Sequence, residues 1–417
     1  MIEAVRNALK VPDLRKKIFL TIALIALYRF GANVPVPGVN IEAVKQMFES
    51  QQGGILGFMD IFAGGALSKF AVFSLGIMPY ITAAIIMELL TVVVPQIERW
   101  SKEGETGRRR ITLWTRYMAL FLYISESIGF TFYFQSQLKA SFSTMQKLLI
   151  IFSLAAGGIL IMWLGEVITD KGIGNGMSIL IFISIIARFP ESIAQTLTVV
   201  SPVLVAATII ILLACTVGII FMEGGQRRIP VQYAKRIVGR KVYQGAATYI
   251  PLKLNPSGVI PIIFASSVLM LPAIVTKFIP NETVRTIGDY MAPGGTIYLT
   301  LFALMIVFFT YFYTSIVFNP IDVSDNLKKY GGFIPGVRPG KPTAAYVEHI
   351  LSRIILPGSL FLAFIAILPT VLMVQLNVPL FAHFGGIALI IIVGVALETV
   401  KQIEAQLLMR HYEGILK

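Results

Sequence analysis

Few residues of this 417-residue chain could do chemistry. Four carboxylates, Glu88, Glu126, Glu166 and Glu398, fall within or beside long apolar runs. An ionisable group there is costly and marks a proton relay, a solute site or a polar contact between helices. Glu88, Glu166 and Glu398 lie near the ends of their runs, where a carboxylate reaches water, whereas Glu126 lies deeper and is the candidate for a role inside the membrane. His349, His383 and His411 lack the i, i+4 spacing that puts two imidazoles on one helix face, so no metal site is expected of them. The lone Cys215 rules out disulfides and thiolate metal sites as organising features. There is no Gly-x-x-x-x-Gly-Lys-Ser/Thr phosphate loop and no nucleophile placed beside a base. Neither catalysis nor a cofactor is expected.

The elements that must position these groups are helices in lipid. Hydrophobic residues make up 56% of the chain and charged residues 14%, against roughly 25% charge in soluble domains. Apolar runs of about 20 residues, the length that crosses a 30 Å hydrocarbon core, are expected at 18–33, 71–93, 117–134, 148–168, 176–189, 203–222, 256–276, 296–318, 350–370 and 384–400. The first follows Lys16-Lys17 but lacks a small-residue cleavage site before Pro35-Val36-Pro37-Gly38, so it reads as a retained helix. The second and seventh contain prolines, which membrane helices tolerate when neighbours cover the freed backbone groups.

A net charge of +13 raises nucleic acid as a partner, but the basic residues alternate with apolar spans and do not gather in one domain, so no DNA partner is expected. The amino terminus, loops 94–116, 169–175, 223–255 and 319–353, and the tail from Lys401 hold 27 of the 35 Lys and Arg. The positive-inside rule makes these segments cytoplasmic, and ten spans place both termini there.

Two pairs of stretches echo each other across the chain. Gly76-Ile77-Met78-Pro79-Tyr80-Ile81 in span two matches Gly258-Val259-Ile260-Pro261-Ile262-Ile263 in span seven; Gly176-Met177-Ser178-Ile179-Leu180-Ile181 in span five matches Gly386-Ile387-Ala388-Leu389-Ile390-Ile391 in span ten. Pairing second with seventh and fifth with tenth implies a duplication of five spans. Because five is odd, the second half runs inverted, with a pathway between the halves. The expected fold is therefore an all-α membrane protein of ten transmembrane helices, in inverted halves 1–202 and 203–417 around a central pore.

Ile77, Ile81, Ile181, Ile263 and Ile391 recur at echoed positions. Such side chains either pack helices or converge on the pseudo-symmetry axis as a narrow apolar constriction, which blocks ions by dewetting and is indifferent to the chemistry of what passes. Segment 55–67 is apolar, too short to span, and carries Gly57, Gly64 and Gly65; it either folds back as a stopper or lies on the outer leaflet. The basic loops 223–255 and 319–353 are a solvated or lipid-headgroup face, or a docking platform for RNA phosphate or an acidic protein surface.

The order of motifs resembles the bacterial SecY family, the central channel subunits of the Sec protein translocase, over essentially the whole chain. The likeness rests on Pro35-Val36-Pro37-Gly38, the run from Phe62 to Ser68, Gly76 to Ile81, Lys102 to Arg109, Gly172 to Gly176, Gln226-Arg227-Arg228-Ile229, Asn255 to Pro261, Phe318-Asn319-Pro320 and Pro335 to Gly340. The resemblance implies a clamshell with a pore ring, a plug and a lateral gate. The ring falls on Ile77, Ile81, Ile181, Ile263 and Ile391. The plug falls on Ile55, Leu56, Phe58, Met59, Ile61, Phe62, Gly64, Gly65 and Leu67. The polar gate cluster falls on Thr82, Glu126 and Asn255, and the partner-binding loops on Arg227, Arg228, Arg240, Lys241 and Arg338.

The implied function is to pass unfolded secretory polypeptides across the bacterial cytoplasmic membrane and to release transmembrane segments sideways into it. The implied partners are SecE and SecG as small membrane subunits, the SecA motor, the ribosome, signal sequences and nascent polypeptides, and membrane lipids. A secondary transporter for a small solute is the alternative, because inverted repeats also build that class; it needs polar groups at mid-membrane, which are scarce here. An intramembrane enzyme would need the catalytic groups already found wanting.

Overall fold

The structure is a computed structural model that describes residues 9–50, 55–137, 142–233, 236–238, 241–243, 247–278, 295–376, 378, 380 and 385–415. Its first helix, α1 (Pro12–Gly31), opens on a proline, whose missing N–H costs nothing in a first turn. α2 (Ile41–Ser50) and the short α3 (Ile55–Phe62) follow. Turns then run to Ile77, held by paired backbone bonds from Val36 N–H to Phe70 and from Val72 N–H to Val34, both 2.9 Å. α4 (Met78–Val93) bends by 100° into α5 (Pro95–Lys102), and α6 (Glu105–Gln137), α7 (Thr144–Lys171), α8 (Gly176–Ala187) and α9 (Phe189–Val199) complete the first part; α10 (Pro202–Gly224) opens the second.

Strands β1 (Gln226–Tyr233), β2 (Arg236–Val238), β3 (Lys241–Tyr243) and β4 (Ala247–Lys253) follow α10. The second part continues through α11 (Ile260–Phe278), α12 (Thr296–Val317), α13 (Pro320–Lys329), β5 (Gly332–Phe333), α14 (Lys341–Leu376) and α15 (Gly386–Ile415).

A helix occupies each of the ten expected spans, and six described helical stretches are long and apolar enough by themselves to cross a bilayer, or seven if α4 and α5 count together. The chain is a multi-pass membrane protein. Phe19, Phe221, Val203 and Phe364 expose more than half of their surface, as side chains facing lipid do. The largest apolar cluster is drawn from the spans, from α2 and α3 and from the turns beside them.

The prolines of spans two and seven free no backbone groups for neighbours to cover, because they start helices. Gly76 (φ 59°) and Gly258 (φ 62°) take left-handed turns, and a helix begins two residues later with Pro79 or Pro261 in its first turn. The second echo also marks helix starts. A side chain on Gly176 would strike the carbonyl oxygen of Gly165 on α7, and one on Gly386 the carbonyl oxygen of Ile365 on α14. Spans four and nine thus play the same part against five and ten.

The loops differ more from expectation. Loop 223–255 contributes β1 to β4 and loop 319–353 contributes β5, so that β4, β1 and β5 form one antiparallel sheet in which Gln232 faces Phe333 and Tyr233 faces Gly332. Ile229, Val231 and Leu252 of the sheet bury against Leu327, Val347 and Leu351. The two basic loops are therefore one folded surface.

Candidate functional site

The five echoed isoleucines sit where helices from the two parts meet. Ile77 caps the start of α4 and Ile81 lies one turn on; Ile181 is on α8, Ile263 on α11 and Ile391 on α15. Ile77, Ile181, Ile263 and Ile391 are buried in the apolar cluster and Ile81 packs against it half-buried. α8 touches α15, and α4 touches α11. Leu180, Ile185, Ile262, Phe264 and Ile390 belong to the same cluster, so the surroundings are apolar.

α3 rests against α8 and α11. Leu56, Met59, Ile61, Phe62 and Leu67 are buried in the cluster that holds the isoleucines, so the segment does not lie as a helix on the outer surface. Ile55 and Phe58 are placed on α3 by the backbone. The helix ends at Phe62, and Gly64 (φ 64°) and Gly65 (φ 83°) make the turn after it. Two arginines approach that turn. Arg29 Nη1 donates to the Gly64 carbonyl at 2.9 Å, and Arg188, at the break between α8 and α9, pairs with Asp60. Neither Asp60 nor Arg188 was singled out from sequence. An acid in an apolar segment and a base at the end of a span each demand a partner, but nothing local says which.

Of the three polar gate residues, Thr82 on α4 and Glu126 on α6 are half-buried on helices that pack together. Tyr123, one turn before Glu126, donates its hydroxyl to the Gly76 carbonyl at 3.2 Å and ties α6 to the start of α4. The Asn255 amide nitrogen donates to Glu223 at 2.7 Å and to the Gly258 carbonyl at 2.9 Å, and its oxygen accepts from Ser257 at 3.0 Å. These bonds fix the turn that launches α11 against the end of α10.

One of the carboxylates read as water-facing has a partner across helices: Glu166 accepts from Arg116 at 2.6 Å, joining α7 to α6. Tyr313 on α12 meets the Phe264 ring of α11 edge to face, with centroids 6.0 Å apart. In the loop helix α5, the Glu98 carboxyl is held below its usual range by the hydrogen bond it accepts from Lys102 at 2.7 Å.

On the folded loops, Arg227 and Arg228 project from β1 and are exposed. The Arg228 guanidinium lies over the Tyr249 ring at 4.7 Å. Arg338 is exposed on a tight turn between Gly336 (φ 84°) and Gly340 (φ 100°). Lys241 begins β3, opposite Val238, and Arg240 lies outside the described residues. Among the described residues no His, Cys, Asp and Glu group suits a metal.

The family model SecY matches residues 71–400. The protein translocase subunit SecY of Streptomyces galbus is 46% identical over the full length of both chains. A structure described as that of a protein conducting channel superposes with a TM-score of 0.62 at 17% identity, covering 93% of this chain and 91% of that one. Canine Sec61, solved in a ribosome-channel complex from the endoplasmic reticulum, gives a TM-score of 0.56 at 18% identity over the same shares. These two distant structures carry the fold, and the sequence match carries the family. By that match the chain belongs to the SecY family of protein translocase subunits.

Proposed function

We propose that this SecY-family chain, a protein-conducting channel and not a catalyst, is shut at rest by a waist of Ile77, Ile81, Ile181, Ile263 and Ile391 with segment 55–67 seated beside it. The halves 1–202 and 203–417 are the inverted units that open, and both termini face the cytoplasm. An aliphatic waist has no preference for polar or charged side chains, so it suits an extended polypeptide of any sequence and holds back ions by dewetting. The observation that supports this reading most directly is that α3 touches α8 and α11, the helices of Ile181 and Ile263, one from each half.

A signal sequence or nascent transmembrane segment leaves between α4 and α6 on one side and α11 and α12 on the other, drawn by transfer of apolar surface into lipid. Thr82, Glu126 and Asn255 line that exit. A buried hydrogen bond among polar residues there nets about 0.5–1.5 kcal/mol, weak enough for a bound signal helix to offset. Canine Sec61 is found in a ribosome-channel complex. By the same family relation the exposed Arg227, Arg228 and Arg338, with Arg240 and Lys241, receive the ribosome or the SecA motor, and SecE and SecG are the membrane partners. The chain supplies no energy of its own, so these partners push. A small-solute transporter gains no support from any relative.

The test is crosslinking during transport. With its partners in liposomes, the chain should carry an unfolded secretory polypeptide to a protease-protected space. A stalled polypeptide should then crosslink to photoreactive groups at the five isoleucine positions. Transport without such crosslinks would overturn the waist.

A further inference from the structure

We propose that Asp60 and Arg188 form a latch that holds segment 55–67 in its closed seat, an inference that rests on reading this segment as the channel's stopper. Asp60 is the acidic residue of α3, and its side chain is 2% exposed; the Arg188 side chain is 15% exposed. One Asp60 oxygen accepts from Arg188 Nη2, and the other accepts from the Ser68 N–H at 2.9 Å. The same Arg188 nitrogen donates to the Ser68 hydroxyl at 3.0 Å, and that hydroxyl donates to the Gly65 carbonyl at 3.2 Å. A single guanidinium therefore gathers both ends of the turn after α3. It does so from the break between α8 and α9, where Arg188 ends one helix and begins the next.

The glycines make this approach possible. A β-carbon on Gly65 would stand 3.1 Å from Arg188 Nε, and one on Gly64 would stand 2.9 Å from Arg29 Nη1 and 3.0 Å from the Ser184 Cα. Both have positive φ, which an L side chain resists. The sequence thus devotes two unhindered turn positions to admitting two arginines.

A buried carboxylate and guanidinium have given up water, and hydrophobic residues would fill the same space at no loss of stability. What the pair adds is an all-or-none contact. Closed, both charges are paired; once the segment leaves its seat, Asp60 and Arg188 separate and must find water. Removing one partner leaves the other buried and uncompensated in the closed seat alone, which shifts the population toward the released segment. Removing both charges takes away the contact without leaving that penalty.

The experiment uses the full chain with its membrane partners in a planar bilayer and reads resting ion conductance, with protein transport measured alongside. Asp60→Asn and Arg188→Gln should each raise resting conductance by about ten-fold or more while transport persists. The double variant carrying both should leak less than either single one, and Arg188→Lys, which keeps charge but not the fork, should leak less than Arg188→Gln. Deletion of 55–67 is measured beside them. If the deletion leaks and the single variants do not, the latch is wrong and the stopper stands. If the deletion does not leak either, the stopper reading falls and takes the latch with it. If the single variants lose transport with no rise in conductance, and the double variant does not recover it, the pair is a folding contact and the proposal is overturned.

Discussion

Tyr28 donates its hydroxyl hydrogen to Ser184, 2.6 Å away and 156 residues later in the chain. The direction follows from the second bond at the serine: Ser184 gives its own hydrogen to the Leu180 carbonyl at 2.8 Å, which leaves only its lone pairs for Tyr28. α1 is thereby fixed to α8, close beside the seat of segment 55–67. The asymmetry makes the two residues unequal. Tyr28→Phe removes one net hydrogen bond, about 1 kcal/mol, and leaves Ser184 bonded to its own helix. Ser184→Ala strands the tyrosine hydroxyl, on a residue 1% exposed, at a cost of about 1–3 kcal/mol. Thermal unfolding in detergent should show the larger loss for Ser184→Ala; equal losses would mean that the tyrosine finds another acceptor.

The seal makes a separate prediction. Ile77, Ile181, Ile263 and Ile391 are buried among aliphatic and aromatic neighbours, so a barrier to ions built from them would be the absence of water and not a charge. Replacing several of them with Gly opens space that wets, and resting ion conductance should rise several-fold, with little preference between cations and anions. Ile→Val at the same positions keeps the surface apolar and should change conductance far less. Unchanged conductance in the Gly variants would remove these residues from the seal.

Much of this architecture is legible in the sequence because membrane helices announce themselves by length and composition, and because the echoes repeat a local geometry. Gly76 and Gly258 adopt the same left-handed turn, and Gly176 and Gly386 each press on a preceding helix backbone. What was misread has physical reasons. Proline within an apolar run reads as lying inside a helix, where a backbone group is freed, yet in a first turn its lost N–H has no partner to lose. The strands hid inside charge: Ile229 and Val231 alternate with exposed neighbours over too few residues to stand out, and their partner β5 is about a hundred residues further along. Asn255 with Glu223, Asp60 with Arg188 and Glu166 with Arg116 are long-range pairings that no local spacing encodes.

The docking surface yields the last prediction. Arg338 projects from a turn whose shape does not depend on its side chain: Val337 N–H closes on the Ile334 carbonyl at 3.0 Å, the Thr343 hydroxyl donates to the Arg338 carbonyl at 2.8 Å, and Gly336 and Gly340 supply the positive φ values. Arg338→Glu should therefore leave the fold intact while reversing the charge offered to an anionic partner. A loss of about 1.4 kcal/mol in that contact lowers partner affinity about ten-fold, and partner-driven transport at limiting partner should fall accordingly. Arg338→Lys should fall between, since an ammonium keeps the charge but cannot make the two parallel bonds of a guanidinium. Raising salt should narrow the gap between wild type and Arg338→Glu, because an exposed contact of this kind is screened. Full transport by Arg338→Glu at low salt and limiting partner would take this residue out of the docking surface.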